Sequence, residues 1–436
     1  MTVIETGQPA GAPIPQPPPA RQVVRQVARA TFEGTPGRMR SYGAFVVLGC
    51  LVFGLFAFIA ASSRASALSS ARSDAAQLVR IQAIRTNLVF ADANLTNAFL
   101  VGGLEPPAAR SAYQEGIATA STTLAEASGV SAQDAAVLAN VNDVVTQYTG
   151  LVESARANNR IGYPLGAAYL RQATQLLRTD ALPPLEDLVK TEQARIADSY
   201  SGSAHAVYWL VIGLLAALGI LLFTQIWLAG RTHRLLNLPL VTASAAVIVV
   251  GVVLVATMAW SQSKANHTRS NAYFATVELA TARIDAFDAK SAESLTLISR
   301  GSGQAYDQSF NSLARNATMI LNDAADQGGA DEQAAKTAFA AYQSVHQQIR
   351  AEDDRGNWDG AVALATGGKA TDANAVFGTF DTASAKALGQ RSAQLRNDLS
   401  TARAPLTLLA WIALIVGVAA AVTSIRGISL RLREYR

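Results

Sequence analysis

The chain has 436 residues, half of them hydrophobic, and its 36 basic and 32 acidic side chains give a formal charge of +4. A single cysteine, Cys50, excludes a disulfide framework. The basic excess sits in short flanks beside apolar stretches, which argues against nucleic acid as a partner.

Residues 1–40 contain Pro9, Pro13, Pro15, Pro17, Pro18 and Pro19 and almost no large apolar side chains. Such a segment cannot bury enough surface to offset its ordering entropy, so a disordered Pro-rich cytoplasmic segment is expected. Four charge-free apolar stretches follow, at 41–62, 206–229, 238–260 and 405–425. Each is near the ~20 residues that cross a hydrocarbon core of ~30 Å. Cys50 lies in the first, where Val47-Leu48-Gly49 loosely matches a lipoprotein cleavage box. Apolar sequence continues well beyond it, so a retained membrane helix is the expectation. Trp209, Trp227 and Trp260 fall near span ends as membrane-interface anchors.

Charge orients these spans in the lipid bilayer. Arg21, Arg25, Arg29, Arg38 and Arg40, the loop 230–237 with Arg231 and Arg234, and the tail 426–436 with Arg426, Arg431, Arg433 and Arg436 carry only Glu5, Glu33 and Glu434 as acids. The two long segments between spans are slightly acidic instead. The positive-inside rule then makes both termini and the short loop cytoplasmic, with 63–205 and 261–404 extracytoplasmic. A multi-pass cell-membrane protein is expected.

Segment 63–205 reads as four helices. Leu78, Ile81, Ile84, Leu88, Leu95 and Phe99 recur at three- and four-residue steps. Tyr113, Ile117, Ala120, Leu124 and Ala127 mark the second helix, and Leu138, Val141, Val145, Tyr148, Val152 and Ala155 the third. The fourth runs from Ile161 through Leu170, Leu177, Leu185, Leu188 and Ile196, with a bend or division expected at Pro183-Pro184. Such stripes in polar surroundings belong to bundle helices rather than strands.

Segment 261–404 repeats the plan. Tyr273, Val277, Ala280, Ile284, Phe287, Ser291, Ser294 and Ile298 lie on its first helix, and Tyr306, Phe310, Leu313, Ala317, Ile320 and Ala324 on the second. Ala335, Ala338, Tyr342, Val345 and Ile349 mark the third, and Val376, Phe380, Ala383, Ala387 and Leu395 the fourth. Asp92-Ala93 answers Asp288-Ala289, and Tyr148, Arg160 and Gly166-Ala167-Ala168 answer Tyr342, Arg355 and Gly360-Ala361-Val362. The offset of about 195 residues extends to the spans, which indicates a duplicated unit. The expected fold is an all-α membrane protein with four transmembrane helices and two extracytoplasmic antiparallel four-helix bundles, arranged as an internal pseudo-dimer.

Chemistry is sparse. His205, His233, His267 and His346 have no metal-ligand partner at helical or loop spacing and read as surface histidines. Gly367-Gly368-Lys369 lacks the rest of a phosphate loop, and Glu352-Asp353-Asp354 reads as a solvated helix end. No enzyme, cofactor or metal site is expected. The spans lack the ionisable groups of a transport pathway. Gly213 with Ala217, and Ala413 with Gly417 and Ala421, are small-residue steps suited to close helix packing. Asn158, Asn159, Arg160, Asp354, Arg355 and Trp358 fall at the bundle ends farthest from the membrane. They are the candidate partner-facing tip, with Trp358 alternatively capping its own bundle.

Two membrane helices framing an extracytoplasmic four-helix bundle resemble the sensory half of bacterial chemoreceptors and sensor kinases. Those proteins work as homodimers and continue into an output domain. No output domain is read after the last span here, so a separate cytoplasmic partner is expected. With the Pro-rich start, the Gly230-Arg231-Thr232-His233-Arg234 hinge and the basic tail, the chain resembles the actinobacterial GlnX-type four-span signalling proteins. That resemblance implies a relay from a solute-binding lipoprotein for aspartate or glutamate to a soluble Ser/Thr protein kinase. Arg231, Arg234, Arg426, Arg431, Arg433 and Arg436 are then the candidate cytoplasmic readout. A non-signalling scaffold, a direct small-molecule sensor and a homodimer remain open alternatives.

Overall fold

A 66-residue helix, α1 (Thr35–Leu100), opens the structure. Its last glycine is Gly54 and it has no proline beyond the first turn, so nothing in the remaining sequence interrupts it. The structure, a computed structural model, describes residues 35–101, 105–160, 165–202, 205–232 and 237–433. Of these 94% are helical and none is in a strand. Residues 1–34 of the Pro-rich segment, Ile161, His233, Arg234 and Arg436 lie outside the described residues. So do the side chains of Arg231, Arg431, Arg433 and His205.

After α1 come α2 (Pro107–Ser128), whose first position is filled by a proline as helix starts favour, and α3 (Ala132–Arg160). Helices α4 (Leu165–Leu176) and α5 (Leu182–Gly202) are joined by a π turn, Leu177–Ala181. The division expected at Pro183-Pro184 takes this form. Neither proline has an N–H to give, and the turn ahead of them widens so that the Leu182 N–H reaches back to the Leu177 carbonyl. Then follow α6 (His205–Thr232), α7 (Leu238–Thr268), a second π turn (Arg269–Tyr273) and α8 (Phe274–Ile298). The chain continues through α9 (Gln304–Gln327), α10 (Ala330–Asp354), the short α11 (Trp358–Thr366) and the 61-residue α12 (Ala373–Arg433). Four helices are long and apolar enough to cross a membrane.

The chain divides into two compact units. An apolar unit holds Met1–Ala61, Ala206–Ala256 and Leu408–Arg436. Its outer surface is Phe45, Leu48, Leu55, Ile212, Ile226 and Ile415, all exposed, as lipid-facing residues are. Its inner contacts are made by small residues. A Cβ added at Gly417 of α12 would stand 2.7 Å from the Gly54 Cα of α1, so these backbones touch. The Ala413–Gly417 step supplies one side of that contact, and Gly54, absent from the sequence reading, supplies the other. Gln225 of α6 donates to the Ser244 hydroxyl of α7 at 2.7 Å, and Asn237 donates to the Gly427 carbonyl at 3.2 Å. Trp227 packs on Tyr42 with ring centres 4.6 Å apart, while Trp209 is exposed.

A polar unit holds Ser62–His205 and Thr257–Thr407. Leu78, Ile81, Ile84, Leu88 and Leu95 of α1 are buried, as are Leu138, Val141, Val145, Tyr148 and Val152 of α3. One stripe position differs from expectation. Ile117 is half-buried and Gly116 turns inward, because α2 approaches α1 closely and a Cβ there would meet Phe90 and the Asn87 carbonyl at 3.0 Å. Helix α8 is buried almost all round from Leu279 to Leu297. An amphipathic helix buries one face, so α8 has neighbours on both sides. Phe90 of α1 meets Phe287 edge-on at 5.5 Å, and Phe287 meets Phe377 of α12 at 5.2 Å.

Candidate functional site, a buried polar layer in the polar unit

Among these apolar contacts sits a carboxylate. Asp92 of α1 is 1% exposed. A carboxylate there must be satisfied by donors or hold its proton. Three hydroxyls serve it: Thr174 of α4 donates to Oδ1 at 2.8 Å, Tyr148 of α3 to Oδ1 at 3.3 Å, and Ser291 of α8 to Oδ2 at 2.8 Å. Ser291 belongs to the second half of the unit and the other two to the first. Asp92 thus ties α8 to α1, α3 and α4.

Its counterpart Asp288 lies one turn from Ser291 and pairs with Arg178 of the first π turn, Nη2 to Oδ1 at 3.3 Å. Burial pushes both carboxyls up, and the Arg178 charge opposes this at each. Asp285, one turn earlier, is pushed up to about 6 by burial, with a hydrogen bond from Asn316 working against it. The two carboxyls, Asp92 buried and Asp288 mostly so, come from the two halves, and Arg178 contacts Asp288 alone.

A second cluster lies further along α8. Glu293, 1% exposed, accepts from Lys290 Nζ at 2.8 Å and pairs with His346 Nδ1 of α10 at 2.8 Å. Burial pushes Glu293 up, but the Lys290 charge and the His346 hydrogen bond outweigh it and hold the carboxyl at about 2. His346 stacks on Phe310 with ring centres 3.3 Å apart. Its expected surface position is therefore wrong, since it is 4% exposed. It sits one turn from Tyr342 on the apolar stripe of α10, a placement visible in the sequence. His267 is exposed, as expected.

The residues expected at the tip are placed as helix ends. Asn158 turns back to the Ser154 carbonyl at 2.8 Å, Asn159 packs its backbone under Gly166, and Arg160 ends α3 exposed. Asp354 pairs with Arg350 at 2.7 Å and Arg355 with Glu352 at 2.8 Å. Trp358 donates its indole N–H to the Leu297 carbonyl at 2.9 Å and carries the Arg300 guanidinium 4.1 Å above its ring. Arg300 holds φ at 38°, a left-handed conformation costly for a side chain with a Cβ. The acidic run Glu352-Asp353-Asp354 is thus met by Arg350, Arg355 and Asn357.

Sequence reasoning missed a matched pair of arginines. Arg156 is buried, binds Glu105 at 2.9 Å and lies over the Tyr113 ring at 4.4 Å. Arg350 binds Asp307 at 3.2 Å and Asp353 at 2.6 Å. Each arginine follows Tyr148 or Tyr342 at the same interval, a regularity that pairing Arg160 with Arg355 obscured. Among the described residues, no group of three histidine, cysteine or acidic side chains could hold a metal ion.

Residues 67–201, most of the first half of the polar unit, match the family model of the actinobacterial sensor domain. No curated protein and no solved structure matches the chain. With four apolar helices of membrane-crossing length, the match supports an actinobacterial sensor protein of the membrane, with a sensing or signalling role.

Proposed function

We propose that the chain is a GlnX-type transmembrane relay built from a duplicated sensor unit. Segments 63–205 and 261–404 each form an extracytoplasmic four-helix bundle, and together they act as an internal pseudo-dimer. Both termini and the loop between α6 and α7 face the cytoplasm. A solute-binding lipoprotein of the aspartate or glutamate class docks on the turns around Asn158–Arg160 and Asp354–Trp358. Its state passes to a separate Ser/Thr protein kinase that reads Arg231, Arg234, Arg426, Arg431, Arg433 and Arg436. The proposal makes the chain a relay rather than an enzyme.

One observation carries this reading: the Asp92 carboxylate is hydrogen-bonded by side chains from both halves of the polar unit. Docking that shifts one first helix against the other by ~1–2 Å, as packed helix pairs allow, breaks that sharing. Because α1 continues without interruption from Leu100 to Thr35, a shift of its buried portion moves residues of its apolar portion too.

The test locks α1 to α8. A short bifunctional thiol cross-linker spanning Phe90→Cys and Phe287→Cys, which replace two rings in edge-to-face contact, is expected to freeze kinase output whether or not the lipoprotein is loaded. Output that still follows loading in the locked protein overturns the relay. A scaffold that transmits nothing predicts full function after removal of 1–40 and 426–436. Reporter tags placed near residues 150 and 340 test the topology, and cytoplasmic signal from either refutes it.

A further inference from the structure

A cavity of about 310 Å³ opens within the polar unit and is walled by α1, α8 and α12, with the start of α2 and the end of α11 at its edge. The edge-to-face rings of Phe90, Phe287 and Phe377 give it an apolar side. Its polar lining is Asn94, Asn97, Lys290, Thr366, Asn374 and Asp381.

These groups keep hydrogen-bonding capacity in reserve. Lys290 is an ammonium with three donors; one goes to Glu293, and the Tyr342 ring lies 5.3 Å from the nitrogen. Asp381 receives Arg283 Nη2 on Oδ1 at 2.7 Å, with its other oxygen left for a further donor. Asn94 spends an N–H on the Phe90 carbonyl, which leaves its own carbonyl oxygen. Asn97 and Asn374 are joined to each other at 2.9 Å.

Charge selects the ligand class. Lys290 is already balanced by Glu293, and Asp381 by Arg283. A simple carboxylate or a simple amine would bring an uncompensated charge into this setting, which is costly. A molecule carrying both charges brings none. We propose that this cavity binds a small zwitterion, its carboxylate meeting the spare N–H groups of Lys290 and its ammonium the spare oxygen of Asp381. The aromatic side takes the ligand's carbon skeleton, and one ligand occupies each chain. The cavity does not repeat by symmetry, because Lys290 of α8 stands where α1 has Asn94. Binding is direct, so it stands or falls independently of any lipoprotein partner.

The test uses the full chain in detergent micelles and thermal unfolding. The probes are the twenty α-amino acids and the ω-amino acids from glycine to 6-aminohexanoate. At least one is expected to raise the melting midpoint by about 2 °C or more at concentrations well above its Kd. The amine and the acid that each lack one charge of that probe should bind at least about tenfold more weakly by calorimetry, a difference of about 1.4 kcal/mol. Lys290→Gln should abolish binding. Asn94→Leu narrows the cavity while touching no charge, and its side chain bonds only within its own helix. It should keep the unliganded midpoint yet lose the shift. The proposal is overturned if no probe shifts the midpoint, if either single-charge analogue binds as well as the zwitterion, or if Asn94→Leu still binds normally.

Discussion

The two halves of the polar unit place similar side chains at similar points and compensate them differently. In each, a tyrosine of the third helix, Tyr148 or Tyr342, stands beside an acid of the first helix. In each, an arginine of the last helix grips an acid near the start of the third: Arg195 holds Asp134 at 2.9 Å, and Arg391 holds Glu332 at 2.6 Å. In the first half, Asp92 meets three hydroxyls and makes no hydrogen bond to a cation, so burial wins and the carboxyl is pushed up. In the second half, Glu293 has Lys290 and His346, so compensation wins and the carboxyl falls to about 2. The protonation of a buried acid is thus set by whether a cation accompanies it rather than by depth. Asp92 is the adjustable member of the pair, and Glu293 is the fixed one.

The largest effect that sharpens this contrast is expected from Lys290→Met. It leaves Glu293 buried with only His346 to compensate it, and breaking a buried pair on one side costs about 3–5 kcal/mol. Asp92→Asn removes no cation's partner and keeps three hydroxyl neighbours, so it should cost far less. Hydrogen-exchange mass spectrometry resolves the two sites. Lys290→Met should lose protection over Phe274–Ile298 and Ala330–Asp354, whereas Asp92→Asn should leave Thr35–Leu100 nearly as protected as in the parent chain. Equal losses would remove the distinction between the halves.

Acid should separate the halves next. Glu293 has a folded value of about 2, below the ordinary ~4.3 of a glutamate. Its stabilisation is therefore present above ~4.3 and is lost as pH falls toward 2, a contribution on the order of 3 kcal/mol. Asp92 is shifted the other way. Its unfavourable contribution is absent below ~3.9 and grows as pH rises above that value. Protection of α8 and α10 should accordingly collapse first on acidification from pH 5 to 2. Loss beginning in α1 and α3 would contradict the assignment of the fixed and adjustable carboxyls.

A smaller effect is expected where the halves differ by one acid. Beside Arg195 and Asp134 the first half also has Glu192, 1% exposed, which Arg195 binds as well. The second half has no counterpart, since Leu388 occupies the matching position. Burial, followed by a hydrogen bond with Asp134, pushes Glu192 up to about 8. Burial likewise raises Asp134, but hydrogen bonds from Arg195 and Glu192 outweigh it and hold that carboxyl low. Of the two acids, Glu192 is the one pushed toward holding its proton. Because the folded value of Glu192 is raised, stability should decline as pH climbs from ~4.3 toward 8 and level off beyond. Glu192→Gln supplies a permanent donor in place of that proton. It should flatten the decline and stabilise the protein at pH 8 and above by about 1 kcal/mol, once solvent screening at the partly exposed Arg195 is allowed for. The same thermal scans with Arg391→Gln, in the half that has Leu388 in place of the second acid, should show no comparable slope change.

How far the sequence reveals this depends on the sequence distance of each residue's partners. The stripe Leu78, Ile81, Ile84, Leu88 and Leu95 is legible because apolar side chains at three- and four-residue steps need no knowledge of what they face. The four apolar spans are legible for the same reason. The correspondence of Asp92-Ala93 with Asp288-Ala289 is also visible, but its burial is not. An aspartate in a helix ordinarily faces water, and the hydroxyls that bury this one come from Thr174 and Ser291, far along the chain. His346 was misjudged through neglect of a local cue, its place between Tyr342 and Ile349 on a buried face. Gly54 is not legible in the sequence, because a lone glycine in a span signals close packing only when Gly417 is known to lie against it.

The smallest expected difference separates the two tyrosines. Tyr148 donates to Asp92 at 3.3 Å, and Tyr148→Phe should cost about 1 kcal/mol, the usual worth of one buried hydrogen bond. Tyr342 lies equally deep, but its hydroxyl, although near Glu293, finds no hydrogen bond of good geometry. Lys290 and His346 already supply Glu293 with donors, so the phenol contributes mainly its ring, packed against Phe310, Phe339 and Phe377. Tyr342→Phe keeps that ring and should shift the melting midpoint by less than Tyr148→Phe, close to zero. A larger loss at Tyr342 would mean that its hydroxyl contributes to Glu293 after all. The low folded value of that acid would then depend on three donors rather than on the cation beside it.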